Sequence, residues 1–463
     1  MTLIKSISGI RGTIGNNKGE NLTPEDIVKF TSAYAIWVKR QMDNGSVKVV
    51  VGRDARPSGR MVYHIVSGTL ISMGIDVVNL DLATTPTVEM AVIAEEAQGG
   101  IILTASHNPV QWNALKLLNH RGEFLNKEEG EEILRIAAQQ GIEYAPVDQL
   151  GKESRNDNYL NYHINKILGL PQVDVDAISA AGYRVVVDGI NSVGGFAVPG
   201  LLRALNVKEV IEVHCNPDGH FAHNPEPIPE NLTGMREEIR KNGADLGFVV
   251  DPDVDRLAIV DENGEMFGEE YTLVAVADYI LKNNPGNTVS NLSSTKALGE
   301  LTGEYGGTYY PSAVGEVNVV EKMKEVNAVI GGEGNGGVIL PEIHYGRDAL
   351  VGIALFLTHL ARYGGSCSEL RKKYPFYHIS KNKIQLTPDI DVDNILKQLK
   401  KHYKDHPVND VDGVRIEFPE GWVHLRKSNT EPIIRVYSEG NDKETAEGLA
   451  SGIIDTVNKM TEN

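Results

Sequence analysis

Short apolar runs alternate with segments of helical periodicity from residue 47 onwards, and this alternation restricts the fold more than any other feature. The run 47–52 (VKVVVG) is typical of a buried strand, and the segment 57–74 has helical spacing. A strand, a helix and a further strand follow at 77–80, 86–97 and 99–105. Strands that alternate with helices predict a parallel or mixed sheet with helices on both faces.

Two further sets of strands and helices follow along the chain. One begins at 183–189 (YRVVVDG) and ends at 244–251 (ADLGFVVD). The next starts with strands at 256–261 and 265–268, which are predicted to pair around the turn 262–264. The repeated alternation indicates three α/β units in tandem.

The last part of the chain has a different pattern. A long helix is predicted over 347–363, and after Tyr374-Pro375 the strands and helices are those of an α+β unit with a largely antiparallel sheet. The polar segment 151–158 is expected to mark the first domain boundary. We predict an α/β protein, with three tandem α/β domains of mixed sheets and a smaller α+β C-terminal domain surrounding a central cleft. The predicted domains are residues 1–152, 153–256, 257–368 and 369–463.

Length, charge and cysteine content exclude several classes of protein. The 463 residues exceed what one hydrophobic core supports. The 45 basic and 63 acidic residues give a net charge of −18, which argues against a nucleic-acid-binding surface. Cys215 and Cys367 lie too far apart to predict a disulfide framework or a zinc site. The N-terminus lacks a signal-peptide pattern and the longest apolar stretch, 351–357, is too short for a membrane span, so we expect a cytoplasmic protein.

A loop of small and polar residues follows the predicted strand at 99–105. It contains Ser106, His107 and Asn108, and Pro109 stops the strand. Small neighbours leave Ser106 accessible. A Ser-His pair in a loop is more often a turn or capping feature than a catalytic pair, and adjacent residues point in different directions. Its own residues therefore allow both a structural and a catalytic interpretation.

The loop 251–256 (DPDVDR) carries three aspartates at alternate positions. Pro252 disfavours a helix, and alternate residues of an extended chain face the same way, so the carboxylates should converge. Converging carboxylates need a cation, and hard oxygen ligands suit Mg²⁺ or Ca²⁺, of which we favour Mg²⁺. An EF-hand is disfavoured because Arg256 stands where that loop needs glycine, which leaves a solvated acidic turn as the alternative. The candidate metal ligands are Asp251, Asp253 and Asp255.

Two other loops have the composition of ligand sites. The glycine-rich segment 331–337 allows close approach of a ligand, and its Glu333 and Asn335 match the hydrogen bonding of sugar hydroxyls. The segment 426–432 (RKSNTEP), with Arg435 on the next strand, combines cations, hydroxyls and turn amides that suit phosphate. A flexible glycine turn and a basic surface hairpin are the competing interpretations.

Together, and in this order, the loops resemble those of the α-D-phosphohexomutase family, whose members interconvert hexose 1-phosphates and 6-phosphates. LTASHNP resembles the family's phosphoserine loop, DPDVDR its magnesium loop, GEGNGG its sugar-binding loop and RKSNTEP its phosphate-binding loop. The segment 8–12 (SGIRG) resembles the one that brings an active-site arginine. The matches extend from residue 8 to residue 435, nearly the whole chain.

The resemblance implies a role for each matching residue. Ser106 would carry the phosphoryl group beside Mg²⁺ bound by the three aspartates, and Lys116 would take part in proton transfer. The remaining residues implied in catalysis or substrate binding are Arg11 and His107 near the serine, Arg256 at the metal loop, Glu333 and Asn335 at the sugar, and Arg426, Ser428, Asn429, Thr430 and Arg435 at the phosphate that does not react.

This chain departs from the family pattern at several positions. The family commonly has glycine where this chain has Pro252 and Val254. Its sugar loop often has a histidine where this chain has Gly337, so His344 or Arg347 would have to supply the missing cation. These departures affect the expected substrate preference more than the expected reaction.

The function implied by the resemblance is that of an isomerase. Phosphorylated Ser106 would exchange a phosphoryl group with the sugar through a hexose bisphosphate, with Mg²⁺ as cofactor and hexose 1,6-bisphosphate as activator. The SGIRG start favours a phosphoglucosamine mutase, and a phosphoglucomutase/phosphomannomutase is the alternative. A metal-dependent sugar phosphatase and a non-catalytic sugar-phosphate sensor are remoter. We also expect a homodimer, with no nucleic-acid or membrane partner.

Overall fold

The computed structural model describes residues 3–6, 9–15, 17, 20–41, 45–139, 141–385, 391–427 and 433–461. Its contacts divide the chain into two units. The first unit contains Met1–Ile280 and Asn335–Leu370, and the second contains Leu281–Gly334 and Arg371–Asn463.

The described part of the chain alternates strands and helices in the order that the sequence predicts. The strands are β1 (Ile4–Ser6), β2 (Gly9–Thr13), β3 (Lys48–Arg53), β4 (Asp76–Leu82), β5 (Gly99–Leu103), β6 (Trp112–Leu118), β7 (Glu153–Arg155), β8 (Arg184–Asp188), β9 (Glu209–Val213), β10 (Leu246–Val250), β11 (Leu257–Asp261), β12 (Thr288–Asn291), β13 (Tyr309–Ser312), β14 (Ile330–Glu333), β15 (Gly337–Ile339), β16 (His378–Gln385), β17 (Val408–Asn409), β18 (Val414–Phe418), β19 (Gly421–Lys427) and β20 (Ile433–Gly440). The helices are α1 (Pro24–Arg40), α2 (Gly59–Ser72), α3 (Thr85–Ala94), α4 (Lys127–Ala137), α5 (Tyr159–Leu168), α6 (Val175–Ala181), α7 (Gly194–Ala204), α8 (Thr233–Asn242), α9 (Glu269–Asn283), α10 (Ala297–Glu304), α11 (Glu316–Glu325), α12 (Ala349–Tyr363), α13 (Cys367–Lys372), α14 (Val392–His402) and α15 (Lys443–Thr461).

The first sheet of the first unit is covered by helices on both faces. Its seven strands lie in the order β1-β2-β6-β5-β3-β4-β7. Val49 packs in one hydrophobic cluster with Phe30 of α1, and the next residue, Val50, packs in another with Val88 of α3. Neighbouring residues of a strand point to opposite faces, so β3 supplies both cores. The predicted mixed sheet with helices on either side is confirmed.

The polar segment 151–158 is more than a connection. Its residues 153–155 form β7, which pairs in parallel with β4, and Glu153 lies opposite Val77. This strand is the last one of the first sheet, so polar composition here reflects an exposed edge strand.

The second sheet has the order β11-β10-β8-β9, in which β10 is parallel to β8 and antiparallel to β11. The sequence analysis grouped the strand at 256–261 with the third set, and this grouping is wrong. That strand is β11, and it pairs along its whole length with β10. The predicted partner strand at 265–268 is reduced to one bridge between Val260 and Met266. The connection 251–256 between β10 and β11 allows the longer and more apolar pairing.

Helix α12 lies inside the first unit. Its sequence, ALVGIALFLTHLARY, is apolar on every side, as in a fully buried helix. Phe356 packs edge-on against Phe248 and Phe267, with ring centroids 6.3 and 5.1 Å away. Asp348 caps the start of the helix, and Gly364, at φ +76°, ends it. The helix predicted over 347–363 is therefore confirmed, with a slightly later start.

The second unit contains both parallel and antiparallel strands. Strand β12 pairs in parallel with β13 and β14. The C-terminal sheet is antiparallel, in the order β16-β20-β19-β18-β17, and shares a core with α14 and α15. The predicted α+β unit is confirmed. Among the described residues, no helix has both the length and the apolar composition needed to cross a bilayer.

Candidate active site

Ser106 lies in a tight turn directly after β5. Its φ of +48° is in the left-handed region. The residue is buried, so the expectation that small neighbours leave it accessible is wrong. The backbone amide of Ser106 donates to Oγ1 of Thr104 at 2.9 Å, which stabilises the turn. The loop is thus an ordered structure that presents one hydroxyl, and the turn and catalytic interpretations of its sequence are compatible.

A buried ion pair that the sequence analysis missed holds the serine loop in place. Arg56 donates to the carbonyl oxygens of Ser106, Asn108 and Pro109, the last two at 2.8 and 2.7 Å. Its Nε bonds to Oδ2 of Asp54 at 2.8 Å, and both side chains are fully buried. The available signal was the charged sequence RDAR at 53–56, which begins with the last residue of β3. Charged side chains at the end of a buried strand are unfavourable unless they are paired.

The three aspartates converge, but through a turn and not through an extended chain. The amide of Val254 donates to the carbonyl of Asp251 at 3.1 Å, and Val254 has a φ of +64°. The turn joins β10 to β11 and brings one carboxylate oxygen from each aspartate within 4.8 Å of the others. A left-handed φ is unusual for a β-branched residue and favours glycine, which agrees with the glycine that the resemblance implies at this position.

The serine loop and the aspartate loop are in direct contact. Ser106 Oγ donates to Oδ2 of Asp251 at 2.7 Å. The other oxygen of Asp251 accepts the backbone amides of Asp255 and Arg256 at 3.1 and 3.2 Å. Asp251 therefore links the candidate nucleophile to the turn that carries the other two carboxylates.

Two cations reach the remaining aspartates from other elements of the first unit. Lys116 Nζ, on β6, lies 2.8 Å from Oδ2 of Asp253 and 3.6 Å from Oδ2 of Asp255. Arg347 donates to Oδ2 of Asp255 at 2.6 Å, and the hydroxyl of Thr85 donates to Oδ2 of Asp253 at 2.6 Å. Burial alone would lower the pKa of Lys116, but the two carboxylates raise it, so the side chain is an ammonium group.

The donor set fits a hard divalent cation. Oδ1 of Asp253 and Oδ1 of Asp255 are buried and have no hydrogen-bond partner among the described residues. Burial and the neighbouring charges of Asp255 and Asp253 raise the pKa of Asp251. Buried carboxylate oxygens without donors are costly, and Mg²⁺ coordination by oxygen removes that cost.

His107 is close to Ser106 but is not well placed as its base. The distance between Nδ1 of His107 and Oγ of Ser106 is 3.5 Å. The Arg256 cation, followed by burial, lowers the pKa of His107, so the ring is neutral. Its position beside the serine agrees with the sequence prediction, and its chemical role stays a prediction.

Arg11 lies on the same face of the first sheet as Lys116. On β2 it pairs with Ala114 of β6, and Lys116 stands two residues further along β6. Residues two apart on a strand share a face. Nε of Arg11 is buried without a hydrogen-bond partner among the described residues, and burial lowers its pKa. Arg11 and Lys116 therefore lie on one face of the sheet whose strand β5 leads into the serine loop.

The lack of a side chain at Gly337 leaves room for the side chain of Arg347. A Cβ atom built on Gly337 would lie 2.3 Å from Cδ of Arg347, whose guanidinium contacts Asp255. Asn335 Oδ1 accepts the amide of Gly337 at 3.2 Å. Of the two replacements considered from sequence, Arg347 reaches the aspartates, whereas His344 bonds to Asp348 at 3.1 Å.

Glu333 ends β14 in the second unit. Its Oε1 accepts hydrogen bonds from Nδ2 of Asn291 at 3.0 Å and from the amide of Gly315 at 3.2 Å. The carboxylate is buried and oriented by two donors, so the glycine-rich segment holds a fixed acceptor here.

Two arginines face each other across the C-terminal sheet. Arg426 on β19 lies directly opposite Arg435 on β20. Nε of Arg426 is buried without a hydrogen-bond partner among the described residues. Like charges in direct cross-strand contact are unfavourable, and an anion would relieve them. The other predicted phosphate ligands, Ser428, Asn429 and Thr430, lie outside the described residues, as does Ser8.

Comparison with known protein families now adds to this geometry. Residues 3–142, 158–264 and 268–377 match alpha/beta/alpha domains I, II and III of phosphoglucomutase/phosphomannomutase, and residues 388–456 match its C-terminal domain. The chain belongs to the phosphoglucomutase/phosphomannomutase family. The resemblance found in the sequence is therefore confirmed, and the four matches follow the predicted order of three α/β domains and one C-terminal domain.

Several curated relatives match this family member over nearly their whole length. A phosphoglucomutase/phosphomannomutase of Thermococcus kodakarensis is 37% identical over 450 residues, which are 96% of each chain. A probable phosphoglucosamine mutase of Methanopyrus kandleri is 34% identical, with 98% of each chain covered. A phosphoglucosamine/phosphogalactosamine mutase of Sulfurisphaera tokodaii is 31% identical, again with 98% of each chain covered.

Solved structures of the family have the same fold. A phosphoglucomutase/phosphomannomutase family protein from Burkholderia thailandensis has a TM-score of 0.86 at 26% identity, with 99% of this chain and 98% of that chain covered. A putative phosphomannomutase from Thermus thermophilus has a TM-score of 0.82 at 25% identity over the full length of both chains.

Proposed function

We propose that this family member interconverts hexose 1-phosphates and 6-phosphates through a phosphorylated Ser106 and a bisphosphorylated sugar. The observation that carries the proposal is the 2.7 Å hydrogen bond between Ser106 Oγ and Asp251, within a cluster of three buried aspartates. A hydroxyl fixed at a carboxylate cluster suits repeated gain and loss of a phosphoryl group, because such transfer depends on positioning and charge stabilisation.

The exchange conserves atoms and charge. A sugar hydroxyl oxygen attacks the phosphorus on Ser106, the bond from phosphorus to Oγ breaks, and Oγ takes up a proton. The hydroxyl gives up its proton, so one proton moves for each transfer. Lys116, an ammonium group held by Asp253 at 2.8 Å, is the proposed donor to Oγ and recovers a proton from the sugar side.

The proposed metal is Mg²⁺, held by Asp251, Asp253 and Asp255. When bound, it would offset the negative charge of the phosphoryl group and polarise it. Arg256 and Arg11 are proposed to contact phosphate on the same side. We propose that Arg347 supplies the positive charge that a histidine supplies in other family members at the position of Gly337.

A bisphosphate intermediate needs a second anion site and a grip on the sugar. The facing arginines Arg426 and Arg435 support a site for the phosphate that does not react. Ser428, Asn429 and Thr430 are proposed to complete it. Glu333 and Asn335 are the proposed acceptors for ring hydroxyls, since the carboxylate of Glu333 is already fixed by two donors.

The proposed substrate is an amino-sugar phosphate, glucosamine phosphate in particular. Relatives named phosphoglucosamine mutase support this choice, at 34% and 32% identity over at least 95% of each chain. The phosphoglucomutase/phosphomannomutase relative at 37% identity supports the alternative of neutral hexose phosphates. We further propose activation by hexose 1,6-bisphosphate and a cytoplasmic location, and a homodimer stays a prediction.

The test compares the native protein with Ser106→Ala. Turnover of glucosamine 6-phosphate, glucose 1-phosphate and mannose 1-phosphate is measured with Mg²⁺ and a trace of hexose 1,6-bisphosphate. We expect Ser106→Ala to lose at least about a thousandfold in kcat, because the covalent route is removed. Ser179→Ala, which changes an exposed serine on α6, is the matched control and should retain full activity.

Each outcome has a defined meaning. Interconversion that fails only in Ser106→Ala, together with phosphate incorporated into the native protein alone, supports the mutase. The substrate with the highest kcat/KM decides between amino-sugar and neutral hexose phosphates. Release of free phosphate without interconversion would contradict the proposal and indicate a phosphatase.

A further inference from the structure

A second group of metal-binding side chains lies beside the second sheet, away from the three aspartates in sequence. Asp188 is the last residue of β8, His214 follows β9 directly, and His223 lies in the loop after it. One donor atom from each residue lies within 4.8 Å of the others. Ligands collect beyond the carboxyl ends of parallel strands in open α/β sheets, and β8 and β9 are parallel.

The hydrogen bonds of His223 decide which of its nitrogens is available. Nδ1 lies 2.8 Å from the carbonyl oxygen of Asn224, and a carbonyl oxygen only accepts, so Nδ1 carries a hydrogen. In the neutral ring Nε2 then has only a lone pair, yet it faces Oδ2 of Asp188 at 3.1 Å. Two lone pairs at that distance repel each other, so either a proton or a cation must lie between them.

This arrangement is the one that metal-bound histidines adopt. A ligating imidazole usually donates its other ring N–H to a backbone carbonyl or a carboxylate, as His223 does. Asp188 is anchored in the same way, because its Oδ1 accepts the amide of Ile190 at 2.9 Å. Nδ1 of His214 points at Oδ2 of Asp188 from 2.9 Å. Three metal-donor atoms therefore converge on one point. Hydrogen bonds with the backbone fix the side chains of Asp188 and His223 in this orientation.

The backbone is strained to achieve this convergence. Ile190 and His214 have φ values of +51° and +47°, and for the β-branched Ile190 this is a rare conformation. Such conformations persist only where the surroundings enforce them, and they concentrate at ligand sites.

We propose that Asp188, His214 and His223 form a second metal site, which takes a nitrogen-preferring divalent ion such as Zn²⁺. Two imidazoles and one carboxylate with an open fourth position match zinc, whereas the all-oxygen set at 251–255 matches Mg²⁺. The cluster is open to solvent, since the His214 side chain is 39% exposed. The neighbouring Cys215 lies outside this set of donors, and its thiol donates to the carbonyl of Val213 at 3.3 Å.

An ion at this site would fix the loop 214–224 in place. That loop packs against Ala55 and Arg56, and Arg56 holds the serine loop. The Phe221 ring lies 5.0 Å from the guanidinium carbon of Arg56, which bonds to the carbonyl of Ser106. A Cβ atom on Gly219 would meet the carbonyl of Ala55 at 1.9 Å, so the two loops are in close contact. The second metal is therefore structural, and it stabilises the environment of the nucleophile from behind.

The experiment measures binding and not activity. The full-length protein is stripped of metal, supplied with an excess of Mg²⁺ to fill the aspartate site, and titrated with Zn²⁺ against a chromogenic chelator. Co²⁺ is added in parallel, because four-coordinate Co²⁺ bound by histidine gives intense visible absorption. His223→Gln and the more exposed His214→Gln are the test variants. His220→Gln, on the same loop but outside the cluster, is the matched control.

We expect one Zn²⁺ per chain in the native protein and in His220→Gln, with a Zn²⁺-dependent rise in the thermal midpoint. Both test variants should lose at least about tenfold in Zn²⁺ affinity, the loss that even an outer-shell substitution causes. They should also lose the Co²⁺ absorption while keeping the native circular dichroism. Equal Zn²⁺ affinity in all four proteins, or no binding in the native protein, would overturn the proposal and leave a protonated histidine as the group that bridges to Asp188.

Discussion

The carboxylates at 251–255 come from a single turn, whereas a second buried charge cluster in the first unit takes its members from three separate segments. Glu89 of α3, His163 of α5, His344 and the helix cap Asp348 form this second cluster, which we call the histidine–acid cluster. His163 and His344 bond to Oδ2 of Asp348 at 2.8 and 3.1 Å, and His344 lies 3.1 Å from Glu89 on its other side.

The two clusters balance their charge differently. Both ring nitrogens of His344 face carboxylate oxygens, so the ring is an imidazolium ion that offsets part of their charge from within the cluster. The aspartate turn has cations near it, yet two of its carboxylate oxygens lack any hydrogen-bond donor among the described residues. Nδ1 of His344 and both carboxylate oxygens of Glu89 also lack a well-formed hydrogen bond in the described part of the chain, so the clusters differ in where the cation lies. The histidine–acid cluster contains its own cation, whereas the aspartate turn takes its cations from other elements. We therefore expect the same residue type to serve stability in one place and metal binding in the other.

The largest expected effect comes from Asp251→Asn, which separates activity from stability. The amide keeps an acceptor for the two backbone N–H groups that Asp251 Oδ1 now binds, and it removes one of three repelling charges. We expect kcat to fall at least about a hundredfold because charge stabilisation is lost. The unfolding midpoint in urea should stay the same or rise. A variant that unfolds markedly earlier would contradict the distinction between the two clusters.

Asp348→Asn is the matched substitution in the histidine–acid cluster, and its effect should be the reverse. Asparagine still caps α12, but the His344 cation loses a buried partner. Breaking a buried charge pair costs about 3–5 kcal/mol. We expect the urea midpoint to fall accordingly, while kcat per folded molecule changes by less than about threefold. A large loss of kcat at full stability would assign this cluster a catalytic role instead.

The pH dependence of stability provides a third test. Burial alone would lower the pKa of His344, but Asp348 and Glu89 raise it from 6.5 to about 10. A raised pKa means that the stabilisation is complete below pH 6.5 and is lost as the pH rises towards about 10. Thermal midpoints measured across that window should decline in the native protein, and the decline should be shallower in His344→Gln. Parallel profiles for the two proteins would show that His344 does not titrate in this range.

The smallest effect is expected at Val254, where the aspartate turn is strained. Replacing it with glycine relieves about 1–3 kcal/mol of backbone strain but removes a buried side chain of similar worth, so stability should change by less than about 1 kcal/mol. Val260→Gly, on the regular strand β11, is the control and should lose about 3 kcal/mol. A loss as large at Val254 would show that the turn is relaxed.

Sequence reasoning found the aspartate turn because its ligands lie within six residues and their chemistry is visible in their spacing. It found the fold class for a similar reason, since strand and helix periodicities are local. It could not find the histidine–acid cluster, because residues 89 and 163 become neighbours of the segment 344–348 only through tertiary packing. The same limit applies to the contacts of Arg56 with the serine loop, although its pairing with Asp54 is local. It also applies to β11, whose partner depends on the competition between two adjacent turns.

Gly337 and Arg347 also bear on how relatives of this protein diverge. Because a Cβ atom at residue 337 would overlap the Arg347 side chain, any residue larger than glycine at 337 requires that side chain to move. A lineage that gains a side chain at 337 must redirect or lose the arginine, and one that loses the side chain can recruit an arginine from ten residues downstream. Considered alone, the glycine at 337 looks like the loss of a site residue. Considered together with Arg347, it is an exchange of the residue that supplies the positive charge.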